Sequence, residues 1–375
     1  MKVFGPDIVL LFVLVVLISA CDTARKPVPG SDLAVLAQQA EGYRQARSGQ
    51  PLVFPRDHGA HPDYRIEWWY LTANLSDSSG NPYGAQWTLF RLALQPADAQ
   101  HAGNPWQSNQ VFMAHIAITT ADRHVSFQRY SRGSEQQDLA RAGVTAKPFA
   151  AWLDDWSLHS TGNEWLPLEV RARQGNQGLR LDLQTPAPLI LQGEAGFSQK
   201  HANGGGSFYY SQPFLAADGE LLVDGETIAV SGEAWLDREW SSQFLQSGQT
   251  GWDWFSLHLE NGEKLMLFQL RQNAGIDTDG SFIHAALMRD DGSKITLDSR
   301  KISLKVLKET VVAGRKLPLN WRIELPQIGR NLEIKALHTQ QWMDVDFPYW
   351  EGAISVHGEG SANRGRGYME LTGYQ

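Results

Sequence analysis

Beyond residue 51 the chain alternates apolar and polar positions in short runs, each closed by turn-forming residues. Strand-like runs cover 66–73, 86–94, 111–119, 179–183, 226–230, 254–260 and 265–270, and continue at 283–288, 301–306, 321–325, 352–356 and 367–371. Between them lie Ser-Ser-Gly-Asn-Pro (78–82), Gln-Gly-Asn-Gln-Gly (174–178), Ala-Asp-Gly (217–219), Glu-Asn-Gly (260–262) and Asp-Asp-Gly (290–292). Short strands punctuated in this way predict an all-β body, a sandwich or a barrel. Helical spacing occurs once, ahead of that body. Ser31 can cap a short helix through Leu33, Leu36, Ala40 and Tyr43, which Gly49 and Pro51 end. Residues 22–30, with Pro27, Pro29 and Gly30, read as a tether.

The first residues follow a different pattern. After the early charge of Lys2, positions 8–20 are almost wholly apolar. That run is too short to cross a bilayer, which takes ~20 apolar residues, and it has the form of a secretory signal. It ends in Leu17-Ile18-Ser19-Ala20-Cys21, which resembles the lipobox of bacterial lipoproteins. The resemblance implies cleavage before Cys21 and a diacylglycerol on its thiol; an ordinary secretory signal is the other reading. Cys21 is the only cysteine, so no internal disulfide competes for it. The expected location is the cell envelope, anchored to membrane lipid through Cys21 and facing the periplasm. Asp22, by the same resemblance, favours the inner membrane.

Composition narrows the function classes. A formal charge of −8 with no basic patch argues against a nucleic-acid partner. Fourteen tryptophans and 35 glycines beside one cysteine fit sheets with aromatic-lined interiors, not a disulfide scaffold. The stretch Asn203–Gly206 lacks the Gly-Lys-Ser/Thr ending of a phosphate loop, and no His-Glu-x-x-His or Gly-x-Ser-x-Gly motif occurs. No cofactor, metal or serine-hydrolase chemistry is expected.

Several segments are distinctive as an ordered set: His61-Pro62-Asp63-x-x-x-Glu67-Trp68-Trp69-Tyr70, Ala114-His115-Ile116-Ala117-Ile118-Thr119, Gly232-Glu233-Ala234-Trp235-Leu236-Asp237-Arg238-Glu239-Trp240, Gly251-Trp252-Asp253-Trp254-Phe255, Tyr349-Trp350-Glu351-Gly352 and Gly367-Tyr368-Met369-Glu370-Leu371. From about residue 51 onward this set resembles the AttH-like proteins, the "predicted secreted hydrolases" and the carotenoid 1,2-hydratases, with lipocalin-like Diels–Alderases more distant. The resemblance implies two lipocalin-like β-barrels packed together, over 51–230 and 231–375, after a signal peptide (1–20) and a tether with its helix (21–50). It places the join near 225–240. It also implies an apolar small-molecule ligand and, as partners, the ABC transporter subunits that AttH-like proteins accompany. An acid-catalysed enzyme on an isoprenoid or polyene, hydratase or cyclase, is the alternative to a tethered binding protein. The hydratases carry Asp-His-x-Trp where this chain has Asp237-Arg238-Glu239-Trp240, so Trp240 carries over and the His does not. Arg cannot release its proton in that role.

Alternation along 233–240 puts Glu233, Trp235, Asp237 and Glu239 on one face and Ala234, Leu236, Arg238 and Trp240 on the other. If the first face lines a barrel, burial and like-charge crowding raise the carboxyl pKa values. A protonated acid beside a π-face is what protonation of an isoprenoid double bond requires. Pairing of these acids with Arg238 or another base at the seam between the domains is the structural alternative. The catalytic candidates are therefore Asp237, Glu239, Trp240 and Asp253. The ligand-binding candidates are His61, Glu67, Trp69, His115, Trp235, Trp252 and Trp254. A lone His such as His115 is more often a hydrogen-bonded core residue, and the tryptophans are more often interface packing. Asp253 reads as a buried acid or a solvated strand end.

Overall fold

The computed structural model describes residues 41–96, 108–133, 141–201, 204–246, 248–272 and 281–374. Cys21, the leader and most of the expected helix lie outside them; residues 41–47 form a turn and an irregular segment.

Two antiparallel sheets make up the body, as the all-β reading predicts. The first contains β1 (Ile66–Ser76), β2 (Pro82–Ala93), β3 (Gln110–Thr119), β4 (His124–Arg132), β5 (Ala142–Ala146), β6 (Phe149–Leu153) and β7 (Trp156–Ser160). It continues with β8 (Leu168–Gln174), β9 (Gln177–Gln184), β10 (Ile190–Leu191), β11 (Phe197–Gln199), β12 (Gly206–Val223) and β13 (Glu226–Ser241). The second contains β14 (Gln249–Leu259), β15 (Lys264–Gln272), β16 (Phe282–Met288), β17 (Lys294–Thr296) and β18 (Ser303–Val312). After these come β19 (Arg315–Leu325), β20 (Arg330–Ala336), β21 (Trp342–Met343), β22 (Tyr349–His357) and β23 (Gly365–Leu371). The strand orders are β4-β3-β2-β1-β13-β12-β9-β8-β7-β6-β5 and β17-β16-β15-β14-β23-β22-β20-β19-β18. Each sheet curls around its own apolar core, which draws side chains from both ends of its strand order, giving two near-closed barrels. The first sheet keeps β13 to Ser241 and the second begins at Gln249, so the chain changes sheets later than the expected 225–240. The reason is that β13 pairs along most of its length with β1 and β12, and both edges hold it in the first barrel.

Burial explains why some strands read clearly and others do not. In β9, Leu179, Leu181 and Leu183 point inward while Arg180, Asp182 and Gln184 face water, the alternation of a half-solvated sheet. In β1 the inward set is Trp69, Leu71, Ala73 and Leu75, yet Tyr70, Thr72 and Asn74 are buried too. The second barrel covers that outer face. A third core fills the seam between the barrels, with Tyr70, Tyr209, Trp235, Phe244, Trp254, Met266, Phe268 and Tyr368 among its members.

Candidate functional site

Two polar regions sit among these cores. One plugs an end of the first barrel. Glu67 of β1, wholly buried, pairs with Arg91 of β2 and with Arg238 of β13, the latter at 2.6 Å. The Arg238 guanidinium also lies 3.7 Å over the Trp69 ring and donates to the Gly59 carbonyl. His61 meets Glu67 through Nδ1 at 3.1 Å and stacks on Trp240 at 4.0 Å. Burial alone would raise the Glu67 pKa, but Arg91 and Arg238 outweigh it and hold the carboxyl well below the usual range. The two guanidiniums share the Glu67 carboxylate as their counter-charge.

The seam is built differently. Asp237 and Glu239 project from β13 on the face opposite Arg238, so they lie beneath the second barrel and not inside the first. Ala234 and Leu236, on the other face, are the residues that fill the barrel. Asp237 accepts from Tyr209 at 2.6 Å, Ser211 at 2.5 Å and the Trp235 indole at 2.7 Å. Burial raises its pKa to about 7 against those three donors, and neighbouring Glu239 adds to the rise. Glu239 accepts from Ser207 and pairs with Lys200 at 2.9 Å. The Lys200 ammonium sits over the rings of Phe268 at 4.0 Å, Tyr209 at 5.1 Å and Phe244 at 5.3 Å. Of the alternative partners, Arg238 or another base, Arg238 belongs to the barrel plug and Lys200 is the base that pairs with Glu239.

The second barrel contributes two further acids to the seam. Glu351 of β22 and Glu370 of β23 stand directly opposite one another, which sets their Cα atoms ~5 Å apart. At that spacing two carboxylates repel by about 3 kcal/mol even at an effective dielectric of ~20. Neither makes a salt bridge among the described residues. Burial, then the charge of Glu370, pushes Glu351 well above the carboxylate range; Tyr70 donates to it. Glu370 is also raised, by burial and by Glu239 and Asp237, against a hydrogen bond from Trp252. The pair therefore holds at least one proton near neutrality. Glu370 is deep in the seam but keeps open surface, as do Trp68 and Trp252. Phe244 bridges those two rings, 4.9 Å from Trp68 and 5.2 Å from Trp252. The result is a partly exposed aromatic cluster with a protonatable acid hydrogen-bonded to Trp252.

The expected candidates thus divide among separate places. Asp237, Glu239, Trp235, Trp252 and Trp254 meet in the seam. His115 joins its edge, with Nδ1 2.9 Å from the Tyr349 hydroxyl. His61, Glu67, Trp69 and Trp240 belong to the plug of the first barrel. Trp240 is 2% exposed there, among Phe208, Tyr210 and His61, because its strand face points away from the seam. It does not join the acids as the hydratase resemblance implied. Asp253 lies inside the second barrel, bound by Arg271 and, at 2.8 Å, by the Tyr374 hydroxyl, a buried acid and not a solvated strand end. Sequence reasoning missed Glu351, Glu370 and Lys200. Tyr368 and Glu370 share a face of their short strand, so an acid beside aromatic residues was readable; which face the second barrel turns toward the first was not.

Comparison with known proteins places this architecture. A sequence model described as AttH-like matches residues 45–374. The chain is similar to the crystal structure of a protein assigned as an AttH from Nitrosomonas europaea, at 34% identity and a TM-score of 0.75, over 88% of this chain and 100% of that one. It shares its fold with kievitone hydratase from Nectria haematococca, at 16% identity and a TM-score of 0.62, over 89% and 97% of the two chains. CghA, solved with Sch210972, shares the fold at 12% identity and a TM-score of 0.52, over 90% and 97%. No curated protein matches. The match across both barrels assigns the chain plainly: it belongs to the AttH-like family.

Proposed function

We propose that the seam binds an apolar, unsaturated small molecule of isoprenoid or polyene type and protonates it, with Glu370 as the acid. The observation that carries this reading is the pairing of Glu351 with Glu370, two acids with no salt bridge among the described residues. Glu370 is partly exposed beside Trp252, whose cluster with Phe244 and Trp68 we read as the wall of a ligand crevice. In the proposed step the Glu370 O–H bond breaks and its proton joins one alkene carbon. The other carbon becomes a cation, which the facing tryptophan rings stabilise. Water then adds and returns a proton to Glu370, or a second double bond closes a ring and the lost proton returns there. A hydratase with this fold fits the reading, but a fold alone carries no chemistry. The test is deuterium incorporation into linear isoprenoids in heavy water. The native protein should place deuterium on carbon and Glu370→Gln should not; equal incorporation by both would refute the acid role.

A second reading is a carrier that holds such a molecule at a membrane face and hands it to an ABC-type exporter. It is favoured by Asp237, whose three donors suit a fixed anchor better than a proton donor. The leader ending at Cys21 fits either reading, because a lipidated protein works at the membrane where such ligands reside. Cys21→Ser should release the protein from membranes and abolish its acyl-modified peptide in mass spectra. Apolar material co-purifying without deuterium exchange would favour the carrier.

A further inference from the structure

His115 is buried in the seam edge and takes no direct part in the proposed proton transfer, yet its hydrogen bonds form a directed chain. Asp346, on the segment that follows β21, sends its backbone N–H to Gln128 Oε1 of β4 at 3.1 Å. The same oxygen faces His115 Nε2 at 3.1 Å. His115 Nδ1 faces the Tyr349 hydroxyl at 2.9 Å, and Tyr349 lies within hydrogen-bonding reach of Glu351, where a donated proton would favour the carboxylate.

Hydrogen-bond valence fixes the protons along this chain. The backbone N–H of Asp346 can only donate, so the amide oxygen of Gln128 must be the atom shared with His115. An amide oxygen only accepts, so His115 Nε2 carries hydrogen. Burial disfavours the imidazolium, which leaves Nδ1 as a bare acceptor. Tyr349 therefore donates to His115 and has no proton left for Glu351. Gln86 approaches the same phenol as a donor and does not claim that proton. Glu351 accepts from Tyr70 on Oε1, while no donor among the described residues bonds Oε2.

We infer that His115 is a positioning residue: by drawing the Tyr349 proton away, it keeps Glu351 in the acid form. The other groups facing the carboxyl pair reinforce this or are neutral. Tyr368 and Tyr70 are un-ionised phenols, Asp237 and Glu239 are acids, and the Lys200 ammonium of the seam is engaged by Glu239. With Glu351 fixed, Glu370 is the member of the pair free to lose and regain a proton. The inference rests on the seam reading for its purpose but concerns proton positions that exist without any ligand.

The direct test is nitrogen NMR of the full chain with labelled histidine, His115 being assigned by its loss in His115→Phe. The expected tautomer has hydrogen on Nε2 and a bare Nδ1; hydrogen on Nδ1 would overturn the inference. Infrared titration gives an independent arm through the protonated-carboxyl band that disappears in Glu351→Gln. In His115→Phe the midpoint of that band should fall by one pH unit or more, a tenfold shift in the proton equilibrium; an unmoved midpoint in folded protein would overturn it. Should His115→Phe not fold, Gln128→Leu releases the ring and should give mixed tautomers, and an unchanged single tautomer counts against the chain. Neither arm uses a ligand. A correct tautomer with no deuterium exchange defeats the catalytic reading alone, and exchange with the wrong tautomer defeats this inference alone.

Discussion

Glu67 and Glu370 are both glutamates enclosed by protein, and their surroundings drive them to opposite states. Glu67 has two arginines against it, and a third polar neighbour, His61, closes the plug. Glu370 has other acids: Glu351 across the strand pair, Asp237 and Glu239 from the facing barrel. The first is held ionised and serves to close a barrel end. The second has its pKa raised to about 7, so it can hold and release a proton near neutrality at a place that remains open. Burial is common to both, so it cannot be what distinguishes a structural acid from a chemical one; the balance of charge around each decides.

The largest expected effect comes from breaking the paired region. Glu67→Gln leaves Arg91 and Arg238 buried without a counter-charge, and loss of one member of such a group costs ~3–5 kcal/mol. Glu370→Gln removes no counter-charge and should shift stability by less than ~1 kcal/mol. Denaturant unfolding of the two variants measures the contrast directly. Comparable losses would mean that the seam acid is structural. Its effect on chemistry should be the reverse: Glu370→Gln loses the positioned proton donor, an effect of ~10²-fold or more on turnover.

Titration sharpens the same comparison. Asp237 has a folded pKa near 7 against an unfolded value near 4. Between those values the folded state binds more protons than the unfolded one, so this group makes stability fall as pH rises, by at most about 1.4 kcal/mol per unit. Its contribution is present in full below pH ~4 and gone above its folded pKa. Glu67 acts with the opposite sign: its stabilisation is present above the unfolded value of ~4 and is lost as pH falls through its depressed folded pKa. Melting temperature against pH should therefore decline from pH ~4 to ~7, and Asp237→Asn should flatten that decline. The Tyr209 hydroxyl can turn to accept from the new amide, so the fold should survive. Parallel curves would show that Asp237 is not protonated in the folded state.

The all-β body and the acids of the 233–240 stretch were legible in sequence because alternation assigns residues to faces. The identity of each face was not. In β13 the set with Trp235, Asp237 and Glu239 looked like a barrel lining, but the barrel takes Ala234 and Leu236 and the second domain covers the acids. Alternation gives two sides of a strand, and contact between distant strands decides which side is inside. The same limit hid Glu351 and Glu370, whose partnership depends on the register between β22 and β23. His61 and Glu67 could be suspected of meeting, since they are close in the chain. Arg91 and Arg238 come from the strands paired on either side of β1, neighbours that only the sheet order and register bring to Glu67.

The smallest expected effect concerns the crevice wall. Trp252 is only half-buried, packs edge-on against Phe244 at 5.2 Å and donates to Glu370. Trp69, by contrast, is wholly enclosed, with Arg238 over its ring and its indole on the His58 carbonyl. If the seam holds the ligand and the barrel plug does not, Trp252→Ala should weaken binding of an apolar isoprenoid about tenfold, or ~1.4 kcal/mol, with only a minor loss of stability. Trp69→Ala should do the opposite, lowering stability by ~3–5 kcal/mol as a large core side chain is removed and leaving the affinity of the remaining folded protein unchanged. Loss of the Trp252 indole also removes a donor that favours the carboxylate form of Glu370, so its pKa should rise further in that variant. Titrated binding beside calorimetric melting separates these outcomes. Equal affinity in the native protein and Trp252→Ala would place the ligand elsewhere than the crevice and remove the reason for an open acid in the seam.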